Sequence, residues 1–198
     1  MGNCISKKSR RQIEQIRQNE VRGMAVMDRQ YLGVEGARLL SEALRENDTI
    51  QGVRLNGTKI GGEGARHLGE ALRGNETVEE LYLSRNNIGD EGMRHLCEAL
   101  KDNDTLFRIE LHSNNIGDEG IFALNDTLEQ NRTLREIWLG LNNVSRKGVD
   151  ALLDTLRNKN GTVMWLGLCK SPGMENNESA EKEFKELRRR NREGRGPT

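Results

Sequence analysis

Leu81-Tyr82-Leu83-Ser84-Arg85-Asn86-Asn87-Ile88-Gly89-Asp90-Glu91-Gly92, followed by the run Met93 to Lys101, is the stretch whose reading decides the fold. It is one copy of a recurring unit: Gly36, Gly64, Gly92, Gly120 and Gly148 stand twenty-eight residues apart. Leu81 and Leu83, one residue apart, predict a short strand with one buried face, because side chains alternate across a strand. Val53/Leu55, Ile109/Leu111 and Ile137/Leu139 repeat the pair, and Ala25/Met27 begin the series in weaker form. Leu166/Leu168 continue it after one inserted residue near Gly161.

Three residues past each pair come Thr58, Asn86, Asn114, Asn142 and Ser171. An asparagine there can serve backbone groups of the bend, in its own repeat and in the adjoining one, which strand pairing leaves unsatisfied. Ile60, Ile88, Ile116 and Val144 follow, then a glycine-acid turn such as Gly89-Asp90-Glu91. Acidic residues suit the first turn of a helix, where unpaired amides face them. Helices are predicted from Leu40/Leu44, Leu68/Leu72, Leu96/Leu100, Leu124/Leu128 and Leu152/Leu156, each pair on one face. Asn47, Asn75, Asn103 and Asn131 end them, and a left-handed conformation is expected at each.

The pattern L-x-x-L-x-L-x-x-N-x-I, followed by a helix, resembles the leucine-rich repeat, and more narrowly its ribonuclease-inhibitor subtype. That subtype also occurs in intracellular immune receptors and Ran GTPase-activating proteins. The resemblance covers residues 23–171. It implies an α/β fold: a short curved solenoid of five to six repeats, with a parallel inner sheet and outer α-helices. Strands about 4.8 Å apart make that sheet roughly 25 Å wide. The family shares an architecture and a binding mode rather than a chemistry.

Charged residues make up 31% of the 198 residues and apolar ones 34%. The apolar residues fall in register, and a repeat needs few of them because its neighbours complete each core layer. Formal net charge is zero. Both ends are basic, which leaves the repeats mildly acidic and argues against nucleic-acid binding. No run of about 18 to 20 apolar residues is present, as a membrane-spanning helix would need. Cys4, Cys97 and Cys169 are widely spaced and odd in number, so they offer no disulfide framework and no metal pair. His67 and His95 share a repeat position near Cys97, but other repeats fill it with Leu39, Ala123 and Ala151. Gly167-Leu168-Cys169-Lys170-Ser171 lacks the glycine that a phosphate loop places before its lysine. No metal site, cofactor or catalytic constellation is expected. The Asn-x-Ser/Thr sequons follow from the repeat's own spacing and are not read as glycosylation sites.

Residues between and before the paired leucines should point into the concave face. The central column runs Val26, Arg54, Tyr82, Glu110, Trp138, Gly167, and the preceding one Met24, Gly52, Glu80, Arg108, Glu136, Trp165. Core packing does not call for large aromatic rings there; a capping role for the tryptophans on the last repeat is the plainer alternative. Exposed aromatics among arginines and glutamates have the composition of a binding hot spot. Arg54, Glu80, Tyr82, Arg85, Arg108, Glu110, Glu136, Trp138 and Trp165 are the expected partner-binding residues.

The chain begins Met1-Gly2-Asn3-Cys4-Ile5-Ser6-Lys7-Lys8, which fits N-myristoylation of Gly2, with Cys4 placed for palmitoylation. One myristoyl chain binds membranes only marginally, and a second chain or a basic patch makes the attachment stable. Lys7, Lys8, Arg10 and Arg11 supply that patch on an anionic leaflet. The expected organisation is an acylated basic arm over 1–11, a capping helix over 12–22 and repeats over 23–171. A second capping helix over 172–190 and a disordered tail over 191–198 complete it. The functional expectation is a non-enzymatic scaffold on the cytosolic face of a membrane, alongside a cytosolic pool, binding a protein partner through the concave face. Regulation of a small GTPase is the alternative, weakened by far fewer repeats than the Ran GTPase-activating proteins have. Ribonuclease inhibition would need a much larger acidic surface.

Overall fold

The computed structural model describes residues 5–175 and 177–194. Strands and helices alternate: β1 (Gly23–Val26), α2 (Gly33–Arg45), β2 (Ile50–Arg54), α3 (Gly61–Leu72), β3 (Glu80–Tyr82) and α4 (Gly89–Leu100). β4 (Arg108–Glu110), α5 (Asp118–Leu128), β5 (Glu136–Trp138), α6 (Arg146–Asn158) and β6 (Trp165–Gly167) continue the series. Helix α1 (Lys7–Arg17) precedes it, and a 3-10 turn (Pro172–Met174) and helix α7 (Glu178–Arg192) follow. The six strands form one parallel sheet in sequence order. A helix needs about 10 Å of width where a strand needs about 4.8 Å, so the stack curves with the sheet inside.

One core runs the length of the stack. It is built from the paired leucines, the Ile60/Ile88/Ile116/Val144 column and the inward faces of the helices. The recurring glycine has a steric cause. A Cβ on Gly64, Gly92 or Gly120 would lie 2.6–2.7 Å from the isoleucine four residues earlier, closer than real contacts come. The helix start folds too tightly onto that isoleucine to admit a side chain.

Asparagines link the repeats in two ladders. In the first, Asn86 N donates to Asn114 Oδ1 and Asn114 N to Asn142 Oδ1, both at 2.9 Å, while each Nδ2 reaches back to a carbonyl of the preceding repeat. In the second, Asn47, Asn75, Asn103 and Asn131 do not adopt the expected left-handed conformation. They are buried, and their Nδ2 groups donate to Ile16, Leu44, Leu72 and Leu100 O, the open carbonyl ends of the preceding helices. Their Oδ1 atoms accept from the amides that reopen the chain, such as Thr77 N and Val78 N. Terminal carbonyls of a helix lack intrahelical donors. Here the next repeat supplies one. Asn160, one residue late, does the same for Leu128 O, so the inserted residue is absorbed at the end of α6. Acidic residues also reach forward: Asp90 Oδ1 accepts from Gly117 N at 2.6 Å and Gly120 N at 3.0 Å, capping the next helix rather than its own.

The ends depart from the expected boundaries. Helix α1 starts at Lys7, not near residue 12, because Ser6 caps it by accepting from Ser9 N, and Ile5 joins Ile13 and Ile16 under cover. Lys7, Lys8, Arg10 and Arg11 therefore lie exposed on a helix packed against α2 rather than on an extended arm. At the other end α7 continues past residue 190, and Asn191 is buried with its Nδ2 donating to Val163 O at 2.7 Å. Arg190 donates to Leu156 O at 2.6 Å, standing in for the asparagine that a further repeat would bring.

Candidate binding surface

The strand register aligns both expected columns. Met24, Gly52, Glu80, Arg108, Glu136 and Trp165 are successive partners, as are Val26, Arg54, Tyr82, Glu110, Trp138 and Gly167. The leucine or isoleucine between them is buried in every strand from β3 to β6, leaving the flanking residues half-buried on the sheet's open face.

Arg108 ties three strands together. It donates through Nε to Glu136 Oε2 at 2.7 Å, and through Nη1 to Tyr82 Oη at 3.1 Å and Glu80 Oε2 at 3.4 Å. The Tyr82 hydroxyl donates in turn to the Glu80 carboxylate. Burial, then that acidic neighbour, pushes the phenol above its ordinary range. Arg54 lies over the Tyr82 ring at 5.6 Å and pairs through Nη2 with Asp28 Oδ2 at 2.9 Å.

Glu110 is different. Half-buried at the centre of the face between Tyr82 and Trp138, its carboxylate has no ion pair or hydrogen bond to any described residue. Desolvation pushes its carboxyl up, against the pull of His112, Arg108 and Arg54. Beside it the Trp138 indole N–H is buried without an acceptor, and so is Arg54 Nε.

The two tryptophans stack at 5.4 Å between centroids, tilted by 36°. Gly167 makes room for this: a Cβ there would lie 2.8 Å from the Trp138 ring. His112 approaches the other side of Trp138 at 5.8 Å. Arg188 and Arg192, one turn apart on α7, lie over the Trp165 ring at 4.7 and 5.8 Å.

Eight of the nine expected residues thus share one face. Arg85 does not. It takes a left-handed conformation (φ 61°) in the loop after β3, aligned with Arg29, Ser113, Leu141 and Lys170, all at positive φ. Gly57 at the same repeat position was the available signal. His112 and the α7 arginines are the unexpected members. His112 could have been found by reading one further column past the paired leucines. Gly2 and Cys4 lie outside the described residues.

Residues 74–97, 103–124 and 130–153 match the leucine rich repeat family. No curated protein sequence matches the chain. Among solved structures, the leiomodin-1 actin-binding site 2 is similar, with a TM-score of 0.67 and 22% identity over 93% of this chain and 89% of that one. The tropomodulin C-terminal domain of Caenorhabditis elegans is similar at a TM-score of 0.62 and 14% identity, over 95% of each chain. At these identities the likeness concerns the fold alone; among the described residues this chain stacks six parallel strands and seven α-helices as a leucine-rich-repeat solenoid.

Proposed function

We propose that this chain is a non-enzymatic interaction module that holds a protein partner on its concave sheet while anchored by lipid to the cytosolic face of a membrane. We read its repeats as the ribonuclease-inhibitor-like subtype. The observation that carries the binding role is Glu110, a carboxylate left half-buried and unpaired between two aromatic rings. A buried polar group without a partner costs stability, and a second chain bringing a donor would remove that cost. The leiomodin-1 domain is an actin-binding site, which makes actin the first partner to test. Co-sedimentation with actin filaments and proximity labelling in cells, each with wild type and Trp138→Ala, test the assignment. Trp138→Ala should lose its partner while keeping its helical signal. Retained capture would refute the concave site.

The anchor is supported by Gly2, Cys4 and the four exposed cations of α1. Ile5 is already packed, so an acylated Gly2 would hold the α1 end within about 10 Å of the bilayer, three extended residues at most. Feeding a clickable myristate should label wild type and spare Gly2→Ala. Equal labelling refutes the anchor.

A further inference from the structure

We propose that the C-terminal end of the concave face is a docking groove for an acidic segment of the partner, one that carries an apolar side chain. The inference rests on the concave-face reading above and specifies what that face takes. A groove of about 350 Å³ lies between β6 and α7, lined by Trp138, Trp165, Leu168, Met174 and Phe184 among others. Its apolar floor suits a leucine or phenylalanine side chain. Its charge is graded along its length. Glu175 and Glu181 stand at the Met174 end, with Lys170. Lys185, Arg188 and Arg192 gather at the Trp165 end, where Arg189 is already engaged by Glu186 and Glu193. Lys170, Lys185, Arg188 and Arg192 form no ion pair with a described residue, whereas Arg189 beside them is held by two carboxylates.

The cation–π contacts with Trp165 restrain the Arg188 and Arg192 guanidinium groups without using their N–H groups, which stay open to a ligand. Arg188 gives one side-chain N–H to Phe184 O at 3.3 Å, and the Arg192 side chain gives none to a described residue. Arginine forks match carboxylates in a bidentate way, and prior ordering lowers the entropy lost on binding. A carboxylate over Trp165 with an apolar neighbour directed toward Phe184 uses both features at once. Lys185 and Arg188 line the recess itself beside its apolar floor, which favours a peptide that enters it over a flat bilayer.

The chain contains two tryptophans and both line the groove, so intrinsic fluorescence of the intact protein reads its occupancy. The probes are three blocked hexapeptides that share a central Leu-Phe, flanked by glutamates, glutamines or lysines. The glutamate peptide should shift the emission saturably and bind at least about tenfold tighter than the lysine one. Lys185→Glu/Arg188→Glu should invert that order, with circular dichroism unchanged; Lys185→Gln/Arg188→Gln covers the case in which the reversal unfolds α7. Equal binding of the glutamate and lysine peptides overturns the proposal. So does insensitivity to both double variants, or no saturable shift up to about 1 mM. A shift produced by phosphatidylserine vesicles and by no peptide overturns it in favour of a membrane surface. If partner capture is lost in Trp138→Ala but kept in Lys185→Glu/Arg188→Glu, the acidic-segment inference fails and the concave site stands. If it is kept in both, the concave site itself fails.

Discussion

Replacing Asn142 by alanine tests the inter-repeat ladder most directly. Its Oδ1 accepts from Asn114 N at 2.9 Å and Ile116 N at 3.1 Å, and its Nδ2 donates to Leu111 O at 2.9 Å and Leu139 O at 2.8 Å. Asn142→Ala strips this partner from four backbone groups inside the stack. A net hydrogen bond is worth about 1 kcal/mol and a buried group left unsatisfied costs about 1–3 kcal/mol, so the loss should be about 4 kcal/mol. Native domains have about 5–15 kcal/mol in all, so the melting transition should fall visibly. Because each repeat touches only its neighbours, the damage should stay local. Urea unfolding followed by circular dichroism measures the total. Hydrogen exchange locates it, with faster exchange at Asn114 and Ile116 and none at Ile50, which Asn47 holds at the far end. Ser171 is the internal control, since it ends the same ladder with a buried, unbonded hydroxyl. Ser171→Ala should be neutral or slightly stabilising. A loss below about 1 kcal/mol for Asn142→Ala, or unchanged exchange at Asn114 and Ile116, would refute the view that this side chain holds adjacent repeats together.

Three further outcomes follow from single residues. Leu141 is exposed at a φ of 59°, where an L-residue pays roughly 1–2 kcal/mol. Leu141→Gly, as at Gly57, should raise the melting temperature by a few degrees in a thermal scan, and a lower one would mean that the leucine packs usefully. Glu110→Gln should stabilise the protein at pH 7, because the native carboxyl titrates above its unfolded value. The folded state therefore holds the proton more tightly, so the gain should be full above the native pKa. It should vanish as pH falls below the ordinary glutamate value of about 4.3. Melting curves from pH 3.5 to 7 check the sign, and a gain that grows toward acid would contradict it. Burial pushes the Cys97 thiol up to about 12, whereas Cys169 is exposed. In a Cys4→Ser background one thiol should react with an aromatic disulfide at pH 8 and a second only in denaturant. Two fast thiols in the native protein would show that the α4 layer opens.

The twenty-eight-residue register made the strands and both concave columns legible, because each repeat faces the same packing demand and meets it with the same residues. Glu110, Trp138 and Arg108 could be placed on one face from spacing alone. What spacing could not show were contacts between repeats. Asn47 and its counterparts look like helix terminators within one repeat, yet their amides serve the carbonyls of another, which only the stacked neighbour reveals. The onset of α1 is readable in Ser6 and Ile5, a cap and a core residue set within a stretch whose charges suggest only a basic arm. The approach of α7 to Trp165 follows no repeat, so its two stacked arginines had no column to announce them. These differences sort the residues by what holds them. Framework positions such as Leu83, Asn114 and Gly92 are accounted for by the stack itself. Glu110 without a partner, the unbonded Trp138 indole and the unpaired Arg188 and Arg192 are not, and two of the four weaken the isolated protein. All four lie on or beside one continuous stretch of the sheet, from β4 to the groove under α7. Ser41, Asn125 and Ser171 also carry buried oxygens without a partner, but each stands alone within the framework; the four gathered on this stretch are the reason the proposed binding surface is placed there.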